Sequence, residues 1–455
     1  MKPLANIPLT KLLYLTMGIL LAFYAAVRIS NLSQAIEKVK TTADTTAYVR
    51  ISKEPIFDSR FLAGARPFVF PLLLKLFGND PEKVVWAQGL FSILSWSLLA
   101  IAVAASLQFP VLKLMGFVLI LLLSLYRYII GWDSVLLTES LSLSLLALLI
   151  AGWLWLIRGW RWEKALAVLL LSFFSMFCRD TNAWVVLMIA LFLVILLVLR
   201  RIEKNYFVLA GAFIIMFFFS NLSADLGGRW IFPFQNVLGR RILPDAESVT
   251  FFANCGMPVS PELMQLAGKY ASGEDRAFYN DPALEKYRTW LHQSGKSCYI
   301  KWLLSHPLES LSHPIVEFNP LMSLENIQSF LFSRKFSPVL PARLEAILYV
   351  RQQPWIAFLA ACGCVLITIV SGVWNSNKTW WVAIVLTLLV FPHYFIVWHG
   401  DVMGIYRHVV SVSIQFYLGI WMLALWIADW VFSRRVVKES RMGPFLMGSE
   451  KQLQK

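Results

Sequence analysis

The sequence predicts an all-α polytopic membrane protein of about ten transmembrane helices, with a mostly helical domain on its outer face. Three observations predict it. The 455 residues are 58% hydrophobic and only 15% charged, whereas a soluble chain carries about 25% charge. Mean hydropathy is +0.63, and apolar runs long enough to cross a bilayer recur along the chain. Finally, the net charge of +14 is concentrated in clusters between those runs. That pattern is an orientation signal under the positive-inside rule, and it argues against a nucleic-acid footprint.

The elements follow in order. Lys2 and Lys11 precede an apolar stretch from Leu12 to Val27, which reads as an uncleaved first span. A polar first outer loop, residues 30–66, follows. The segment 67–77 is too short to cross and holds Pro71 and Lys75, so it is expected to be interfacial or re-entrant. Further spans are expected near 84–107, 112–129, 135–155, 165–177, 183–199 and 207–219. They complete an N-terminal transmembrane module over residues 1–220. Residues 221–350 form an outer-face soluble loop domain. C-terminal transmembrane helices occupy 351–432, with spans near 355–374, 380–397 and 409–430, and a cytoplasmic tail covers 433–455.

With both termini inside, every short inside segment is basic: Lys113, then Arg158, Arg161 and Lys164, then Arg200, Arg201 and Lys204, then Lys378, and the tail Arg434, Arg435, Lys438 and Arg441. An error of one span would invert half of these. A cell inner membrane is the expected location.

In the long loop, Ser260-Pro261 and Asp281-Pro282 each place a cap residue before a proline at a first helical position, while His306-Pro307 and His313-Pro314 are expected to break helices. Cys178, Cys362 and Cys364 read as buried thiols. Cys255 and Cys298 are able to pair if the loop faces an oxidising compartment.

This topology gathers chemically capable residues on one face. The first outer loop carries Asp44, Tyr48, Arg50, Glu54, Asp58, Arg60 and Arg66. Later turns add Asp133 and Glu139, Arg179-Asp180, and His399, Asp401, Arg407 and His408. An arginine clamps a phosphate at two points, and a carboxylate at a membrane surface serves as a general base. Together they suit a lipid-anchored phosphate substrate and an acceptor to be deprotonated. Plainer readings stand beside this one. Asp44 also fits a solvated loop residue, and Glu139 a helix-to-helix hydrogen bond. Arg179-Asp180 fits a structural pair, and Arg407 a snorkelling side chain. His399 and His408 read first as structural or interfacial. With Asp401 they raise a metal site only weakly, so no metal ligand is assigned.

The pattern resembles the GT-C superfamily of membrane glycosyltransferases, which use polyprenyl-phosphate-linked sugars. Asp44-Thr-Thr-Ala-Tyr48 is similar to a D-x-x-x-Y form found there. Arg66-Pro67 and the apolar segment after it, and the stretch Trp132 to Glu139 leading into a span, complete the likeness. Thr45 stands where many relatives carry a second acidic residue. The resemblance implies a GT-C-like fold. It also implies catalytic roles for Asp44, Glu139 and Asp133, lipid-phosphate binding by Arg66, Arg179 and Arg407, and substrate binding by Tyr48, His399 and His408. The implied reaction transfers a sugar, with inversion, from a polyprenyl-phosphate donor to a glycan, lipid or protein acceptor. A divalent cation stays open as cofactor. The alternatives are a transporter or flippase of lipid-linked substrates, or a non-catalytic envelope assembly protein.

Overall fold

The computed structural model describes residues 9–36, 39–273, 276–324 and 339–450, with backbone alone for 435–450. Lys2, residues 451–455 and the side chains of Arg435, Lys438 and Arg441 lie outside the described residues. Among those described, the chain is helical throughout with no strand.

Seven described helices are long and apolar enough to cross a membrane: Thr10–Ile36, Pro81–Ser106, Thr138–Ile157, Asp180–Val198, Tyr206–Leu226, Trp380–Gly400 and Ile405–Arg434. Pro110–Ser124 and Arg127–Ser134 meet at a 54° bend and make an eighth if taken as one span. The other two expected spans are the helices Trp162–Met176 and Pro354–Val370, of 15 and 17 residues. At about 1.5 Å per residue they reach only roughly 22 and 25 Å, short of a ~30 Å hydrocarbon core. The architecture is that of a multi-pass membrane protein.

The first helix packs on the bundle through one buried ion pair. Arg28 is 2% exposed, and its Nη2 lies 2.6 Å from Asp133 Oδ2 and 2.8 Å from Ser92 Oγ. Its Nη1 donates to the Ser124 carbonyl at 3.0 Å. Ser140 Oγ donates to the other Asp133 oxygen at 2.6 Å. Gln88 donates to the carbonyls of Asp133 and Val135, fixing the turn that carries the carboxylate. Both members of the ion pair are therefore hydrogen-bonded, as a buried charge requires.

Segment 67–77 is more embedded than expected. It forms the helix Val69–Leu76, in which Val69, Phe70, Pro71 and Leu74 are buried. The reason is aromatic packing: Phe70 meets Tyr48 edge to face, and Phe68 packs on Phe173 and Phe177. Lys75 is not spent on solvent, because its Nζ donates to the carbonyls of Ser52 and Glu54.

Residues 234–298 build a second hydrophobic core, around Leu238, Phe252, Leu263, Phe278, Tyr287 and Leu291, separate from that of the bundle. The two cap motifs form as the sequence implies. Ser260 Oγ accepts from Leu263 N, and Asp281 Oδ1 from Ala283 N. Cys255 and Cys298 are both free thiols, as are the other three cysteines.

His306-Pro307 does separate two helices, but His313-Pro314 does not. Pro314 sits inside the helix Pro307–Met322. A proline there removes the hydrogen bond to the carbonyl four residues back, that of Ser310. His399 Nε2 donates to that carbonyl at 3.0 Å, and Tyr394 Oη donates to the Pro314 carbonyl at 3.0 Å. The bundle thus satisfies what the proline leaves open. Phe318, further along the same helix, packs on Phe358, Phe391, Tyr394 and Phe416 of the bundle.

Replacing Asp133 with leucine strands the Arg28 charge in an apolar setting. The expected cost is about 3–5 kcal/mol, read as a lowered unfolding temperature in detergent. The double variant Arg28→Met/Asp133→Leu is expected to recover most of that loss.

Candidate functional site

Each residue of the site is positioned by a short, identifiable local structure. The helix Ala43–Ser52 opens on a capping box in which Thr42 and Thr45 exchange side-chain and backbone bonds. Thr45 Oγ1 also donates to the Leu136 carbonyl at 2.9 Å. Lys40 pairs with the same strip of chain in an isolated parallel bridge to Val135. Asp44, in the first turn of that helix, is thereby held beside the start of the Thr138–Ile157 helix, whose second residue is Glu139.

Five side chains then converge. Asp44 accepts from Arg66 at one oxygen and from Arg407 Nη1, 2.9 Å away, at the other. Arg407 Nε lies 3.0 Å from Glu139 Oε1, and Arg179 Nη1 lies 3.5 Å from the same oxygen. Both Glu139 oxygens are buried, and neither has a donor in hydrogen-bonding alignment, despite the close guanidinium groups. A buried carboxylate so placed is an acceptor in need of a donor. Three guanidinium groups against two carboxylates leave the cluster one positive charge in excess. Tyr48 forms its floor, with the Arg66 guanidinium 5.7 Å from its ring centroid.

His408 bridges to a neighbouring group. Arginine only donates, so the 2.6 Å contact from Arg179 Nη2 makes His408 Nδ1 an acceptor. The ring proton then sits on Nε2, facing Asp401 Oδ2 at 3.9 Å. Asp401 accepts from Asn236 Nδ2 at 3.0 Å and from Met403 N at 2.9 Å, which ties the outer domain to this corner. Burial raises the Asp401 carboxyl above its ordinary range, although these bonds oppose the rise. Burial also raises Asp44, but Arg66, Arg407 and Arg179 outweigh it, so that carboxyl lies below its ordinary value. Burial pushes the Tyr48 hydroxyl up to about 12, keeping it protonated at neutral pH.

Of the residues singled out in sequence, Asp44, Glu139, Arg66, Arg179, Arg407, Tyr48 and His408 come together. Asp133 does not share their contacts: Arg28 and Ser140 take its oxygens. His399 is also committed elsewhere. Its Nε2 serves the Ser310 carbonyl, and its Nδ1 accepts from Tyr299 Oη at 2.9 Å. It therefore pins the outer domain to the bundle. Among the described residues, no three His, Cys, Asp or Glu side chains converge as metal ligands.

Two supporting residues carry no signal in the sequence. Arg229 is almost wholly buried and grips Asp180 with two nitrogens, and its Nη1 donates to the Gly64 carbonyl at 3.1 Å. Gly227 lies against the same backbone, where an added Cβ would stand 2.2 Å from Gly64 O. Together they fix residues 63–65 and so aim Arg66.

No protein-family model matches this chain, and no curated protein matches it.

Gly227→Ala is expected to displace the backbone at Gly64 and loosen Arg66. Its unfolding temperature should fall, and an arginine-specific reagent should modify Arg66 faster than in the wild type. A second expectation concerns acid. The folded pKa of Asp44 is depressed, so its pairing stabilises the fold fully above its ordinary 3.8 and is lost as pH falls through the lower folded value. Unfolding scans of wild type and Asp44→Asn should differ by a constant amount from pH 8 to pH 5. That difference should shrink only on acidification below about 4.

Proposed function

We propose that the chain is a glycosyltransferase of GT-C-like build, moving a sugar from a polyprenyl phosphate to an acceptor at the outer face of a cell inner membrane. One observation carries the reading: two carboxylates and three arginines, with a positive charge in excess, are gathered at one end of a membrane bundle. Ionisable groups at such a depth are functional candidates by default. The excess charge suits an added phosphate. The basic turns at Arg158–Lys164, Arg200–Lys204 and Lys378 support an orientation with both termini inside and ten crossings in all, with the bilayer thinned around the short helices Trp162–Met176 and Pro354–Val370.

In this reading Arg66, Arg179 and Arg407 hold the phosphate of the donor. The acceptor oxygen attacks the anomeric carbon, and a new carbon–oxygen bond forms on the face opposite the departing phosphate. The bond from that carbon to the phosphate oxygen breaks, and its electron pair leaves on the polyprenyl phosphate. The acceptor proton passes to Asp44. Paired with two arginines, Asp44 is a weak base. A donor phosphate competes for those arginines, returns basicity to Asp44, and so couples activation of the acceptor to binding of the donor. Glu139, short of a donor, accepts a hydroxyl of the sugar. Fixed charges in a site shielded by lipid and by the outer domain act with little screening.

A second reading, transport of a lipid-linked substrate, draws on the 54° break after Ser124 and the buried Arg28–Asp133 pair. The two readings part on chemistry. In proteoliposomes holding a labelled polyprenyl-phosphate sugar and candidate acceptors, the transferase releases free polyprenyl phosphate. Asp44→Asn is expected to slow that release by about 10²–10⁴-fold, with unfolding temperature checked alongside, and Glu139→Gln to slow it while Asp44 stays in place. Near-normal turnover in Asp44→Asn would sink the mechanism. Sugar movement across the bilayer without release would favour transport.

A further inference from the structure

A second place on the molecule sets an exposed arginine beside an exposed apolar helix face. Between the helices Ala43–Ser52 and Ser59–Leu62 and the end of Tyr206–Leu226 lies an open cleft of about 540 Å³. Arg50, Glu54, Ser59, Arg60, Gly64 and Leu226 contribute to its walls.

Its charges are unequal in availability. Arg60 is already engaged, 3.0 Å from Asp58 and 3.1 Å from Glu54. Arg50 is exposed, and its guanidinium meets no carboxylate among the described residues. Lys53, on the same turn, is exposed as well. The cleft therefore offers an anion a free arginine and a hydroxyl at Ser59.

Its surroundings are apolar and outward-facing. Phe57, at the tip of the connection between the two short helices, is 93% exposed, and Ile56 is 40% exposed. On the long helix beside them Phe218, Phe219, Leu222 and Leu226 are 54–72% exposed. A large aromatic tip beside basic residues, next to an apolar helix face, is the arrangement found at headgroup depth. Water at that face would meet a run of apolar surface, whereas an acyl or prenyl chain covers it.

We propose that this cleft seats the phosphate headgroup of an anionic lipid drawn from the leaflet. Arg50 holds the phosphate, and the lipid chain runs along the Phe218–Leu226 face. The inner wall is the backbone of Ala63 to Ala65, and the next residue, Arg66, reaches Asp44. A lipid seated here stands one residue along the chain from Arg66, the partner of the proposed base. This headgroup site stands apart from the transferase reading.

The test is native mass spectrometry of the full chain in mild detergent, titrated with dioleoyl phosphatidic acid and, separately, dioleoylglycerol. Wild type is expected to take up the phosphatidic acid at lower concentration than the neutral lipid. Arg50→Gln should weaken phosphatidic acid binding about fivefold and leave dioleoylglycerol unchanged. Leu226→Glu should weaken both. Arg407→Ala should leave both as they are. Unchanged binding in Arg50→Gln overturns the proposal. So does loss confined to Arg407→Ala, which would put the lipid in the central cluster. Displacement of the lipid by millimolar inorganic phosphate overturns it too, since the cleft would then be reading a free ion. Asp44→Asn is expected to bind phosphatidic acid like wild type. If transfer is absent from every preparation while Arg50-dependent binding persists, the transferase reading fails and the lipid site remains.

Discussion

Asp44 shared between Arg66 and Arg407 is the contact on which the arrangement of this end of the molecule depends. It joins residues 363 positions apart, from the first loop to the last long helix. Each arginine brings its own element with it. Arg66 brings the strip held by Gly227 and Arg229, and Arg407 brings the helix that also carries His408. Glu139 and Arg179 close the ring from two further helices. A buried carboxylate is tolerable only with such partners, and the partners in turn have few alternatives nearby. The low basicity of Asp44 in this state follows from the same geometry that assembles the cluster.

The outer domain is joined to the bundle by side-chain hydrogen bonds and by one ion pair, Lys296 to Asp225 at 2.7 Å. Asn236 donates to Asp401 and takes the Ala271 N–H at 2.9 Å, so one amide serves both sides of the boundary. His399 takes the carbonyl that Pro314 leaves open and receives the Tyr299 hydroxyl. Arg241 lies over Trp398, 3.3 Å from its ring centroid, and donates to its carbonyl at 2.6 Å. Apart from the ion pair, these contacts all fall on the corner between the last two long helices, next to His408. The domain is thus anchored at the edge of the cluster rather than at a distance from it.

Much of this was legible in the sequence, and the limits have physical causes. Helical runs of adequate length show as continuous apolar stretches, so the seven long helices coincide with expected spans. The alternation of spans places Asp44, Glu139, Arg179 and Arg407 on one face without any knowledge of packing. What one face cannot reveal is which residues touch. Asp133 lies on the same turn system as Glu139, yet its partner is Arg28, the residue just past the apolar stretch that ends at Val27. Arg229 and Gly227 matter through an approach of two backbones, which leaves no periodic trace. His313-Pro314 reads as a helix break because proline usually ends a helix. Here a histidine 85 positions away, supplied by tertiary packing, takes up the lost bond.

The Arg28–Asp133 pair has a consequence for how the chain is made. Its members are 105 residues apart, so the first helix is synthesised well before its counter-charge. An arginine deep in a lone helix costs roughly 2.5–3.5 kcal/mol to place in lipid. The partners that relieve this cost, Asp133 and the Ser124 carbonyl, lie about a hundred residues further along the chain, so the helix gains its full place in the bundle only once they have been made.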